Sequence, residues 1–222
     1  DFVRGLLRAR LRRRAPGKIP RPVRARSFKT TPGRKVTVQR LFQRLNAFLD
    51  DDTAVVCDVG DVLFGATDLY IHRRTEFLGA AYYTSMGFAV PASIGVQLAN
   101  PKSRPLVLVG DGAFQMTGME LSTSVRYGLN PIVVVFNNAG YGTERPMQDG
   151  PYNDVATWRF HRVPEVFGAG RSFLVRTEDE LDHALYEAHA HRDSFALIEV
   201  MLDPHDHSPA LQRLTERLGK KI

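Results

Sequence analysis

Pro105-Leu106-Val107-Leu108-Val109-Gly110-Asp111-Gly112 and Ile132-Val133-Val134-Val135-Phe136-Asn137-Asn138-Ala139-Gly140-Tyr141-Gly142-Thr143-Glu144 decide the fold of this chain. Each opens on a short apolar run bounded by turn residues, the pattern of a strand buried on both faces. The segment between them, Ala113 to Leu129, has the length and apolar spacing of a crossover helix, so the two strands are read as parallel. In open parallel sheets ligands bind outside the carboxyl ends of the strands, and Asp111 and the Asn137-Asn138 pair fall there. Two strand ends converge on one point.

The residue types at that point suit a hard cation and a diphosphate. Magnesium takes oxygen ligands at about 2.0–2.1 Å in near-octahedral geometry and shares its shell among protein, water and phosphates. The Asp111 carboxylate, the Asn138 amide oxygen and the Gly140 main-chain carbonyl would supply oxygens and leave room for diphosphate and water. Gly110 and Gly112 allow a tight turn close to the phosphates, and a helix starting near Ala113 would aim N–H groups at them. Alone, Gly-Asp-Gly is most often only a turn. The second strand, with Asn138 placed 27 residues after Asp111, selects the grip over the turn.

This constellation resembles the thiamine diphosphate signature, Gly-Asp-Gly followed at such a spacing by Asn-Asn. Its continuation, Asn138-Ala139-Gly140-Tyr141-Gly142-Thr143-Glu144-Arg145, resembles the 2-oxo acid decarboxylases of the pyruvate, indolepyruvate and branched-chain type. Pro151-Tyr152-Asn153-Asp154-Val155-Ala156-Thr157-Trp158 and Val163-Pro164-Glu165-Val166-Phe167-Gly168 resemble the same group. The resemblance runs from Thr53 to Phe195. It implies a thiamine diphosphate- and magnesium-dependent, non-oxidative decarboxylation of a 2-oxo acid to an aldehyde and carbon dioxide. This chain would supply the diphosphate-binding half of the site.

Carried over by position, the resemblance implies Asp111, Asn138 and the Gly140 carbonyl as magnesium ligands, with Gly112 and Ala113 offering N–H groups to the diphosphate. Asp61, in Asp58-Val59-Gly60-Asp61-Val62-Leu63-Phe64-Gly65, matches a contact to the diphosphate region. Met86 matches the bulky apolar residue that wedges under the cofactor and keeps its two rings bent towards each other; by itself it would be a core methionine. Thr84 matches a position, commonly glycine, whose main-chain carbonyl accepts from the cofactor's amino group. Glu144 matches the glutamate that lies near the substrate carboxylate and helps protonate the product carbon. Such a role wants a carboxyl in an apolar enclosure, its pKa raised. By itself Glu144 would be a solvated loop residue pairing with Arg145. Val59 and Thr143 match positions lining the substrate pocket. Carboligases of the acetolactate synthase type generally lack the glutamate and are the nearest alternative activity; a non-catalytic cofactor-binding module is the other.

Composition fits one α/β domain with an appendage: 222 residues, 43% of them hydrophobic. No apolar run approaches the roughly 20 residues of a membrane span, and no membrane partner is expected. Cys57 is the single cysteine and sits in a strand-like run, so no internal disulfide forms and a cytoplasmic setting is expected. The charge is uneven. Residues 1–35 carry thirteen Lys and Arg against Asp1, a formal +12 in a chain of total +6, leaving −6 on the rest. With Pro16, Gly17, Pro20, Pro22, Pro32 and Gly33, this reads as a basic linker at the end of a preceding domain. It has no interleaved aromatics, and nucleic acid is not an expected partner.

Residues 36–222 are expected to form the diphosphate domain, a doubly wound parallel sheet with helices on both faces. Val38 to Leu49 is an amphipathic helix, Thr53 to Cys57 a strand, and Gly79 to Leu98 a region with a helix packed under the sheet. Val163 to Phe167 is a short helix and Phe173 to Val175 a strand. Thr177 with Glu180 makes a capping box for a helix through His191, and Ala196 to Val200 is the last strand. His205-Asp206-His207 reads as an exposed turn. The pyrimidine-binding domain of the resembled family, with its own glutamate and paired histidines, has no match here. The first residue, Asp rather than Met, and the entry in mid-helix at Phe2 fit the C-terminal part of a longer chain. The resemblance implies a pyrimidine-binding domain as partner, from the same longer chain or another subunit, and a homo-oligomer, dimer or tetramer.

Overall fold

The structure is a computed structural model and describes residues 1–9, 27–71 and 76–219. The expected basic linker falls largely on residues 10–26, outside the described residues; before it, Phe2–Arg8 is a helix, α1. Six strands form one sheet: β1 Thr53–Cys57, β2 Phe77–Gly79, β3 Arg104–Gly110, β4 Ile132–Asn137, β5 Arg171–Val175 and β6 Ala196–Met201. Their order is β2-β1-β3-β4-β6-β5 and every neighbouring pair is parallel. The register sets Val56 against Val107, Val107 against Val133 and Val133 against Leu197, so one row of branched side chains crosses the sheet.

Alternation along the strands gives two apolar faces, and helices cover both. On one face α2 Val38–Phe48, α3 Asp61–Ala66 and α8 Glu178–Ala190 lay Leu41, Leu45, Leu181 and Leu185 over Val55, Leu106, Val134 and Ile198. On the other, α4 Ala89–Ala99, α5 Asp111–Thr117, α6 Leu121–Arg126 and α7 Val163–Phe167 pack Val90, Phe114 and Leu121 against Val107, Val133 and Leu197. This is the doubly wound α/β sheet the sequence predicts. No described helix is long and apolar enough to cross a membrane.

Local signals hold where side chains cap. The Thr37 hydroxyl accepts from the Arg40 N–H at 3.3 Å at the start of α2, and the Thr177–Glu180 capping box opens α8. Other expectations need correction. The crossover from Ala113 to Leu129 is broken: α5 ends at Thr117, a single 3₁₀ turn follows at Gly118–Glu120, and α6 restarts at Leu121. In the Gly79 to Leu98 region Phe77–Gly79 is an edge strand, and the helix begins only at Ala89. Helices α3 and α9 Pro209–Gly219 have no counterpart in the sequence reading. His205-Asp206-His207 is more than an exposed turn, because Asp206 Oδ2 accepts the Val38 N–H at 2.6 Å and so caps α2 from the far end of the chain.

The packed domain also reaches back before residue 36. Glu178, fully buried, accepts the Thr31 N–H at 2.9 Å and two bonds from the Arg40 guanidinium at 2.7 Å each, while Arg40 lies over the Phe28 ring.

Candidate functional site

The chain runs from β1 outward to β2, then back across to β3, so the strand order reverses between β1 and β3. A cavity of about 510 Å³ opens at that switch point, where parallel sheets bind ligands. Every residue matched to a cofactor, metal, catalytic or substrate position lines it. Val59 and Asp61 come from the end of β1, and Thr84 and Met86 from the loop before α4. Gly110, Asp111, Gly112 and Ala113 come from the β3–α5 junction, and Asn138, Gly140, Thr143 and Glu144 from the loop after β4.

Asp111 sits at the first position of α5 and is 2% exposed. Its Oδ1 accepts from the Gly112 N–H at 2.7 Å and its Oδ2 from the Gly140 N–H at 3.2 Å, so one carboxylate joins the two loops that were expected to share a cation. Burial pushes its pKa up to about 6, against the lowering effect of these N–H donors. Each oxygen keeps a second lone pair. The Gly112 N–H, expected to face a diphosphate, is donated to Asp111 in this structure.

The Asn-Asn loop turns sharply because Ala139 takes a left-handed conformation, φ +55°. Asn137, 1% exposed, accepts the Ala139 N–H on Oδ1 at 3.4 Å, a side-chain turn two residues long. Glycine is needed at both sides of the junction. A Cβ on Gly112 would meet Tyr141 Cε1 at 2.7 Å, and one on Gly140 would meet the Asn153 carbonyl oxygen at 2.6 Å. The protein packed around each position leaves no room for a Cβ.

Asp58, 0% exposed at the end of β1, holds the opposite wall. Its Oδ1 accepts from the Gly87 N–H at 3.0 Å and its Oδ2 from the Ala89 N–H at 2.8 Å, fixing the loop that carries Met86. Burial raises the Asp58 pKa, opposed by those same bonds. Met86 is half-buried and packs against the core face built by α4. Thr84 has φ +54°, a left-handed geometry that a β-branched residue takes only when its surroundings impose it. That geometry accounts for a glycine being suited to this position. Asp58 was not singled out from sequence, although an acid at the end of an apolar strand is the signal that marked Asp111.

Asp61 and Glu144 depart from expectation. Asp61 lines the cavity, but its oxygens are taken by the C-terminal segment: the Ser208 N–H reaches Oδ2 at 2.7 Å and the Ser208 hydroxyl reaches Oδ1 at 2.5 Å. Burial raises the Asp61 pKa, and Ser208 lowers it in part. Its visible work is to anchor the chain before α9. Glu144 is exposed at the cavity's rim, so the apolar enclosure expected around it is not supplied by the described residues. Nor does it pair with Arg145, which binds Asp149 at 2.8 Å and Asp154 at 2.7 Å.

The donor set fits a cation. Among the described residues the lining includes three carboxylates, Asp61, Asp111 and Glu144, and no Lys, Arg or His. A diphosphate entering such a cavity meets like charge unless a cation comes with it. Among the described residues no group of three His, Cys, Asp or Glu is placed to hold a metal. Magnesium does not need one, since a carboxylate, an amide oxygen, a main-chain carbonyl and phosphate oxygens suit it.

Fold and cavity together define a doubly wound α/β domain with its ligand cavity at the carboxyl-edge switch point. Residues 51–200 match the family described as thiamine pyrophosphate enzyme, C-terminal TPP binding domain, and the chain belongs to that family. An alpha-keto-acid decarboxylase of Mycolicibacterium paratuberculosis is 37% identical over 171 residues, 75% of this chain and 30% of that protein. One from Mycobacterium leprae is 35% identical over 189 residues, 83% of this chain and 33% of that protein. The chain thus spans about a third of the length of these relatives. Among solved structures, a thiamine diphosphate-dependent 4-hydroxybenzoylformate decarboxylase of Rhodococcus jostii RHA1 superposes with a TM-score of 0.69 at 25% identity, covering 80% of this chain and 35% of that one.

Proposed function

We propose that this chain supplies the magnesium- and diphosphate-holding half of a thiamine diphosphate-dependent 2-oxo acid decarboxylase. The observation that carries the proposal is the convergence of Asp111, Asn138, Gly140, Met86 and Glu144 on one cavity whose charged lining side chains, among the described residues, are all acids. Thiamine diphosphate, when bound, supplies the electron sink that lets a 2-oxo acid lose carbon dioxide. The chain's own residues do the rest. Asp111, Asn138 and the Gly140 carbonyl hold the cation. Ala113 would offer its main-chain N–H to the phosphates, and Gly112, whose N–H is held by Asp111, would let the chain pass close to them. Met86, on the loop fixed by Asp58, would support the cofactor, and Val59 and Thr143 would bound the substrate's side chain. Glu144 holds the proton that the product carbon takes after carbon dioxide leaves.

A pyrimidine-binding domain, from a longer form of the same chain or from another subunit of an oligomer, closes the open side. The exposure of Glu144 and Thr84, with Tyr82 97% and Tyr83 83% exposed beside them, supports a wall supplied from outside these residues. The test is carbon dioxide release from a panel of 2-oxo acids by the protein with thiamine diphosphate and magnesium, the pyrimidine-binding domain being present, with products identified. Free aldehyde with one equivalent of carbon dioxide is expected. An acetohydroxy acid as product would make it a carboligase. Cofactor binding without carbon dioxide release would leave a binding module.

A further inference from the structure

Glu199 is a carboxylate in the middle of a buried strand, and nothing in the proposed chemistry uses it. It lies on β6 between Ile198 and Val200, is 2% exposed, and pairs in register with Val135 on β4. Burying a carboxylate is costly unless its oxygens are filled, and here they are. Oε1 accepts from the Asn137 amide at 2.6 Å. Oε2 accepts from the His161 N–H at 2.9 Å and faces His161 Nδ1 at 2.5 Å.

We infer that Glu199 is a positioning residue for the cation grip, acting through the Asn137 side chain. A carboxylate oxygen accepts, so Asn137 turns its NH₂ towards β6. The amide oxygen must then point the other way, and there it takes the Ala139 N–H. That bond supports the left-handed Ala139 on which the loop turns, and the turn brings Asn138 and Gly140 to the cavity. A glutamine at 199 would present one acceptor and one donor, and two donors facing each other would swing the Asn137 amide round. His161 touches the same carboxylate from the 3₁₀ turn Phe160–Arg162 and braces it from the side away from Asn137's bond, through Oε2.

The effect on cation affinity rests on the proposed function; the hold on the loop does not. The experiment therefore has two readouts on the full chain: hydrogen exchange at the Ala139 and Gly140 amides without cofactor, and affinity for thiamine diphosphate with magnesium. Glu199→Gln is expected to speed exchange at these amides relative to the core strands and to weaken cofactor affinity by about tenfold or more, the scale seen when residues supporting a metal ligand are lost. His161→Ala, destabilising but remote from the loop, leaves both nearer the parent. The exchanged pair Asn137→Asp with Glu199→Gln rebuilds an amide–carboxylate bond in the opposite sense and restores both. Unchanged exchange at Ala139 and Gly140 in Glu199→Gln overturns the inference, as does failure of the exchanged pair to restore them. If Glu199→Gln does not fold, the exchanged pair decides alone. A parent chain that binds no cofactor with the pyrimidine-binding domain present refutes the proposed function, and the exchange readout still decides the role of Glu199.

Discussion

Asp61 and Ser208, 147 residues apart in sequence, are joined by two hydrogen bonds, from the Ser208 hydroxyl at 2.5 Å and from its main-chain N–H at 2.7 Å. Ser208 is fully buried, and its hydroxyl also accepts the Leu211 N–H at 3.1 Å, which makes it the start of α9. The pair ties the last helix to the first turn of α3 beside the cavity. Ser208→Ala leaves a buried carboxylate oxygen unfilled and should cost about 2 kcal/mol. Thermal melting and limited proteolysis check this: the variant melts lower and is cut sooner within α9. Equal proteolysis rates would show that α9 is held by its apolar face alone.

Glu178 gives a stability that depends on pH. The Arg40 guanidinium, first by hydrogen bonds and then by its charge, holds the Glu178 pKa below the ordinary glutamate value. A depressed acid contributes stability that is full above the unfolded value, about 4.3, and is lost as pH falls through the lower folded value. Glu178→Gln should therefore cost roughly 2 kcal/mol at neutral pH and progressively less in acid. Denaturant melts of parent and variant from neutral pH to about 3 measure the closing gap, taken past the ordinary glutamate value. A gap independent of pH would assign the effect to packing.

The sheet, its winding and most of the cavity lining are legible in the sequence because buried parallel strands write themselves as unbroken apolar runs, and Asp111 and Asn138 punctuate their ends. Helix α9 escapes because it is built on Ser208, whose partner Asp61 lies far off in the chain. The break between α5 and α6 escapes because the apolar spacing runs on through Gly118, where a Cβ would meet the Phe114 ring. Glu199 carries a signal that could have been read: a single acid inside Ala196-Leu197-Ile198-Glu199-Val200 must have partners. Which partners they are, Asn137 and His161, only the fold supplies.

Thr84 carries backbone strain that a glycine would not. At φ +54° a β-branched residue is disfavoured, by about 1–3 kcal/mol. Its hydroxyl donates only to the neighbouring Tyr83 carbonyl at 2.8 Å. Thr84→Gly should raise stability by about 1 kcal/mol, the relief being offset in part by the freer unfolded chain. Cofactor affinity should not change, since the proposed contact is through main chain. A loss of affinity in this variant would give the threonine side chain a part in binding.

Removing the cation tests the charge argument directly. With three acids and no basic side chain among the described residues of the lining, diphosphate affinity should fall by about a hundredfold or more when a chelator strips divalent ions. Asp111→Asn should have a comparable effect with magnesium present. The unliganded variant should melt within about 1 kcal/mol of the parent, because relief of a buried charge is set against a lost acceptor for Gly112 or Gly140. Calorimetric titration with thiamine diphosphate, with and without chelator, reads both. Tight binding that survives the chelator would mean that main-chain N–H groups suffice and that no cation is required.

On the proposed function, Glu144 is the residue on which the type of reaction turns. It lies at the rim, exposed, with its N–H donated to the Tyr141 carbonyl at 3.0 Å, so its place is fixed by the same loop that carries Asn138 and Gly140. Changing it to glutamine keeps the shape and removes the proton that can be transferred. Glu144→Gln should retain cofactor affinity, which depends on Asp111 and the loop backbone. It should lose carbon dioxide release by about 10²-fold or more, the ordinary worth of a placed general acid. Binding and release measured on the same preparation separate the two. Undiminished release would remove Glu144 from the chemistry and reopen the carboligase reading, which has no need of a glutamate there.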